Sequence, residues 1–180
     1  MEYFLIETDE RNPNPYLINK NRAIDIRMLT REKIDQLPRW NMLEMNFPEE
    51  GFFPDLLCDP CTLVSKTVME VIRMYHPNVP YIGAKLWDRQ SGANATYSIP
   101  ILDEVECISP ETIYKNIGNR IEKLVLDQDK IKPYAVFKIK GYKRKCIVGR
   151  MDFLESVLKR GGRGMKVEMI EKYYKCEFEC

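Results

Sequence analysis

Apolar residues recur along this chain with two different periods, and the switches between them mark out strands and helices. Val64, Val68, Val71, Ile72 and Tyr75 fall at intervals of four, three, one and three, on one face of a helix over 65–76. Ser65 is its expected N-cap, Asp59-Pro60 is a second start signal, and Pro77 ends it. A further helix is predicted from Asp152, as its cap, to Arg160, with Phe153, Val157 and Leu158 inward and Gly161-Gly162 closing it. A short one starts at Thr30 and stops at Pro38.

Strands are predicted over 2–6, with Tyr3 and Leu5 on one face, and over 80–87, 121–126, 134–140, 146–148 and 165–170. Tyr16–Ile18 and Ala23–Ile26 read as a weak hairpin turning through Asn19-Lys20-Asn21. In 97–108 the residues Ile99, Ile101, Val105 and Cys107 share a face, and Pro100 marks an edge or bulged strand. Gly92 and the run 141–145 supply turns, and 111–117 reads as short helix or irregular chain. Residues 39–60 hold Trp40, Met42, Met45, Phe47, Phe52 and Phe53 among prolines and acids, which reads as an irregular arm packed on the core.

Hairpin-linked strands with single inserted helices predict an α+β fold, a mostly antiparallel sheet with a few packed helices. At 180 residues the expectation is a single domain over 1–180, with 1–48 an N-terminal subregion and 174–180 a loose tail. A net charge of +1 excludes a strong global field toward nucleic acid or membrane. The N-terminus lacks the features of a signal peptide, and no apolar run approaches the roughly 18 residues of a membrane span, so a soluble, cytoplasmic protein is expected. In that compartment the six cysteines are expected to be reduced.

Cys58 and Cys61 (CDPC) with Cys176 and Cys180 (CEFEC) could make a tetrahedral zinc site, because such sites use two closely spaced thiolate pairs. The compact knuckle context is missing, and two unrelated pairs are the simpler reading. CDPC as a redox pair is disfavoured: no βαβ unit leads into it, and Asp59 would raise a thiol pKa. His76, the sole histidine, stands at a helix end that favours its cation, without a nucleophile motif. The stretch GGRGMK follows a helix rather than preceding one, so it caps and does not cradle phosphate. No nucleophile, base and orienting group share a recognisable spacing, and no catalytic residue, metal or cofactor is assigned.

Charge is placed unevenly. Between Arg39 and Lys66 the only charges are Glu44, Glu49, Glu50, Asp55 and Asp59, and Asp103, Glu104, Glu106 and Glu111 form a second acidic cluster. Lys138, Lys140, Lys143, Arg144, Lys145 and Arg150 load one hairpin with positive charge. Tyr142 is the only aromatic at that tip, so a stacking platform for nucleic acid is missing; a charged edge that resists aggregation is the simpler reading.

The order of several short motifs resembles a family of bacterial immunity proteins, first catalogued as a domain of unknown function and later assigned to polymorphic toxin systems. The similar stretches are Phe53-Pro54-Asp55, Leu63-Val64-Ser65-Lys66, Tyr97 to Leu102 leading to Asp103, Leu124 to Asp127, Val136 to Ile139 and Ile147-Val148, within about residues 50–170. The resemblance implies a cytoplasmic, non-catalytic protein that neutralises a cognate toxin domain. On that expectation Glu49, Glu50, Asp55, Asp103 and Glu104, with Trp87 as aromatic anchor, meet a basic toxin surface. The alternatives are a nucleic-acid-binding module using the 138–150 hairpin, or a zinc-stabilised structural domain; membrane is excluded and a homo-oligomer is compatible with the sequence.

Overall fold

A computed structural model of the protein describes residues 1–18, 24–115 and 121–173. In chain order the strands are β1 (Tyr3–Thr8), β2 (Tyr16–Leu17), β3 (Trp40–Asn46), β4 (Leu56–Leu57), β5 (Leu63–Val64), β6 (Tyr81–Trp87), β7 (Asn94–Pro100) and β8 (Glu104–Val105). They continue with β9 (Ile113–Tyr114), β10 (Ile121–Lys123), β11 (Val125–Asp127), β12 (Val136–Ile139), β13 (Ile147–Arg150), β14 (Met165–Met169) and β15 (Glu171–Tyr173). The helices are α1 (Lys66–Tyr75), α2 (Gln128–Ile131) and α3 (Met151–Lys159). The fold is α+β with mostly antiparallel sheets, as the pattern predicts.

Two larger sheets face each other across α1 and α3. The first has the order β14-β1-β13-β12-β8, and its inner strands β1, β13 and β12 are buried on both sides. Phe4 and Ile6 of β1 point toward the helices, while Tyr3 and Leu5 point to an opposite core with Phe137, Val148 and Ile170. Burial on both faces is why β1 reads as a continuous apolar run. The second sheet has the order β2-β3-β6-β7-β5-β4, with β3 parallel to β6 and a β6–β7 hairpin turning at Gly92 (φ 70°).

The segment 39–60 is not wholly irregular: seven of its residues form β3. Leu43 and Met45 are buried and Trp40 and Met42 exposed, a period of two that was masked because the outward residues are also apolar. Tyr16 and Leu17 pair with Asn46 and Met45 of β3 rather than with 23–26; the turn at 19–21 lies outside the described residues. The predicted strand 97–108 splits. Ile99 and Ile101 enter the core of the second sheet, whereas Val105 and Cys107 enter the far core of the first, so this segment carries the chain between sheets. Pro100 ends an interior strand rather than marking an edge. The strand 121–126 likewise divides into β10 and β11, which belong to different small sheets.

Ser65 caps α1, its Oγ accepting the Val68 N–H at 3.4 Å, and Val68, Val71 and Ile72 are buried. Asp59-Pro60 is a cis peptide in a turn and starts no helix. Arg150, not Asp152, holds the cap position of α3, and Asp152 is clamped by the Arg150 guanidinium at 2.7 and 2.8 Å. Leu154 turns inward with Phe153 and Val157, while Leu158 is exposed. The expected helix at Thr30 is reduced to a 3-10 turn over Ile34–Gln36. One apolar cluster draws on β1, β4, α1, β12, β13 and α3 together, and it joins the two sheets.

Candidate functional site

Helix α1 covers only part of the second sheet. Val64 of β5 and Leu56 of β4 pack against it, and beyond β7 the same face is left open. The register shows what lies there: Trp40 beside Gly83, Met42 beside Lys85, Glu44 beside Trp87, Tyr81 beside Pro100 and Lys85 beside Thr96. Tyr16, paired with Asn46, adds a residue at the β2 edge. Trp40 (63% exposed), Met42 (62%), Tyr81 (46%) and Trp87 (38%) therefore form an uncovered aromatic strip, with Lys85 and Glu44 set into it. The far face of the same sheet is closed by Ile34, with Ile24, Leu29 and Leu37 packed against it.

Gly83 explains how Trp40 lies. A Cβ there would stand 2.4 Å from Trp40 Cε3, so the indole rests flat on the β6 backbone where a side chain is missing. The Arg73 guanidinium, at the end of α1, sits 5.7 Å from the Tyr81 ring centre and closes that end of the strip.

At the opposite end an acidic corner adjoins Trp87. The buried Asp88 carboxylate accepts the Phe47 N–H at 3.3 Å, the Gln90 N–H at 2.8 Å and the Ser91 hydroxyl at 2.8 Å, and the Ser91 bond foremost keeps it below the usual carboxylate range. This anchors the loop after β3 against the end of β6. Asn12 braces the loop from behind, exchanging bonds with the Phe52 carbonyl (2.9 Å) and N–H (3.2 Å). Glu49 and Glu50 project from it, exposed and without an ion pair among the described residues.

The other expected acids go elsewhere. Asp103 follows β7 beyond Tyr81, about 20 Å of strand from the Trp87 end, and pairs with Arg31 at 2.9 Å. Glu104 is exposed in β8 of the first sheet. Asp55 accepts the Arg163 N–H at 2.9 Å while its own N–H donates to the Arg163 carbonyl, a clasp that locks residues 52–55 onto the turn before β14. Glu49 and Glu50 lie on the loop that Phe47 ties to Asp88, the residue after Trp87, whereas Asp55, Asp103 and Glu104 belong to other parts of the fold. Trp40, Met42 and Tyr81 are not among the expected residues: apolar side chains on both faces of β3 hide the alternation over 40–45, and Tyr81 opens β6 at a position that carries no signal of exposure.

The sequence matches no protein-family model and no curated protein.

Four of the six basic residues of the hairpin are paired with acids. Arg144 bonds Glu7 and, at 2.8 Å, Glu168; Lys145 pairs with Asp59; Lys140 with Glu106 at 3.5 Å; Arg150 with Asp152. Beside it, Cys58, Cys61 and Cys146 line a cleft of about 300 Å³. Burial pushes the Cys61 and Cys146 thiols up to about 12, as it does Cys107, so all three are protonated and poor nucleophiles at neutral pH. Among the described residues no group of three or more His, Cys, Asp or Glu is placed to hold a metal, and Cys176 and Cys180 lie outside those residues. His76 is not an exposed cation: its Nε2 accepts the N–H groups of Ala135 (3.2 Å) and Val136 (3.4 Å), and burial lowers its pKa. Among the described residues no helix is long and apolar enough to cross a membrane.

Proposed function

We propose that this is a non-catalytic immunity-type protein that binds and neutralises a cognate bacterial toxin domain in the cytoplasm, docking it on the open face of the second sheet. The observation that carries the reading is the uncovered strip of Trp40, Met42, Tyr81 and Trp87 on a sheet whose other face is packed. Tryptophan, tyrosine and arginine are the residues that dominate binding energy when a partner desolvates them, and strands hold them without the ordering cost of a mobile loop. Glu44 beside Trp87, with the exposed Glu49 and Glu50 on the loop after β3, suits a partner with a basic rim, where charge sets approach rate more than affinity.

The test uses the toxin domain that this reading expects to be encoded beside this chain. The two proteins form a complex, and co-expression protects cells from the toxin. Trp40→Ala weakens binding by about thirtyfold or more. Reversing Glu49 and Glu50 slows association and flattens its loss with salt, and Leu158→Ala, on exposed α3 surface, changes nothing. A complex of unchanged affinity with both Trp40→Ala and Trp87→Ala removes the sheet face from the interface. A toxin domain that neither binds nor is neutralised removes the function.

A further inference from the structure

Among the described residues the edges of the sheets are short, with one exception. The outer strands β2, β4 and β8 have two residues each, and no strand of the two-stranded sheets exceeds three. Short edges are protected from pairing with other chains. β14 has five residues, Met165-Lys166-Val167-Glu168-Met169, and lies at the edge of the first sheet. It has neither proline nor bulge, and both its ends are fastened. Asp9 N–H donates to Gly164 O and Ile170 N–H to Tyr3 O, each at 3.0 Å, and the Asp55–Arg163 clasp holds the turn before it.

Those two bonds also fix which way the backbone points. Gly164 and Ile170 turn their amide and carbonyl groups toward β1, and alternate residues of a strand do the same, so Lys166 and Glu168 follow them. Met165, Val167 and Met169 therefore turn theirs outward. Val167 and Met169 are exposed side chains on the helix-facing side, and Lys166 and Glu168 are exposed on the other.

We infer that this edge pairs with β14 of a second copy of the chain, antiparallel about a two-fold axis at Val167. Centred there, Val167 faces Val167 of the partner subunit, and Met165 faces the partner's Met169. All of these are residues whose backbone groups point outward, so every free amide meets a free carbonyl. Lys166 then faces the partner's Glu168, and Glu168, which accepts the Arg144 guanidinium at 2.8 Å within its own chain, is shared with the partner's Lys166, at the non-hydrogen-bonded positions where side chains come closest. One face of the ribbon is closed by two opposite-charge pairs and the other by Met and Val. The strand is complementary to itself in hydrogen bonding, charge and hydrophobicity in a single register. A charged edge that merely repels would carry one sign; this one alternates. The contact is small, so the dimer is weak and forms reversibly at high protein concentration. It uses a different sheet from the toxin-binding face and does not depend on that reading.

Sedimentation velocity over a concentration series tests it on the full chain. The wild-type protein moves from monomer to dimer as concentration rises. Lys166→Glu places two like-charge contacts across the axis, as does Glu168→Lys, and each weakens self-association about tenfold or more. Mixed together, the two variants pair with each other, because every contact is again between opposite charges. Val167→Pro removes an outward N–H at an edge position that tolerates proline, so the monomer folds and the dimer is lost. Hydrogen exchange supplies the register: the amides of Met165, Val167 and Met169 gain protection with concentration. A protein that stays monomeric throughout overturns the inference. So does a dimer indifferent to both charge variants, or protection of these amides only when the toxin domain is added.

Discussion

The single histidine, His76, sits where α1 ends, and a helix C-terminus by itself favours the imidazolium. The strand beside it reverses that preference. Two backbone N–H groups, of Ala135 and Val136, point at Nε2 and need a lone pair, and burial disfavours the charge. The folded pKa therefore lies below the unfolded value of about 6.5. On acidification the unfolded chain takes up the proton first. The stability contributed by the neutral ring is full above about pH 6.5 and is lost as pH falls through the folded pKa. His76→Ala, which strands both donors, costs about 1–3 kcal/mol at neutral pH. Thermal melts from about pH 7.5 down to about pH 5 show a steeper loss in the wild-type protein than in His76→Gln, which has no proton to gain. Parallel profiles for the two would show that the ring is not the titrating group. The sequence places His76 at the helix end but not against β12, because the contact spans 59 residues of chain.

At the level of elements, α1 was legible because its apolar face, its serine cap and the following proline agree. β3 was not, since a strand that is apolar on both sides loses its alternation whether its outer face is buried or, as here, open. The candidate site inherits that blind spot: Trp87 is readable as an aromatic near a turn, whereas Trp40 is placed on the same face of the sheet only by the parallel β3–β6 pairing. The 138–150 hairpin was legible as a basic loop, but Glu7, Asp59, Glu106 and Glu168, which pair with its basic residues, come from four separate segments. Packing between elements is equally invisible in one dimension. Gly149 of β13 lies under α3, where a Cβ would stand 2.6 Å from Ile6 Cδ1 and 3.0 Å from Phe153 Cδ1. Gly149→Ala consequently destabilises by about 1–3 kcal/mol in urea unfolding. Ile6→Val removes the nearest methyl, so the double variant is more stable than the sum of the two single losses. Strict additivity would place the strain elsewhere.

For the whole molecule the decisive feature is the cluster that α1 and α3 share with both sheets. Phe4, Ile6, Val136 and Ile147 come from one sheet, Leu56 and Val64 from the other, and Val68, Ile72, Phe153 and Val157 from the helices between. Neither sheet can lose its helices without exposing this core, so the two are expected to melt together. The protein carries its own reporter for the point: both tryptophans, Trp40 and Trp87, lie in the second sheet, and none lies in the first. Tryptophan fluorescence follows the second sheet alone, while exchange of the β1 and β13 amides follows the first. A single cooperative unit gives the same midpoint and the same free energy by both measures, and the far-UV signal falls on the same curve. Fluorescence that changes well before the β1 amides exchange would mean that the second sheet opens by itself. In that case the shared core would not couple them, and 1–180 would be two units rather than one.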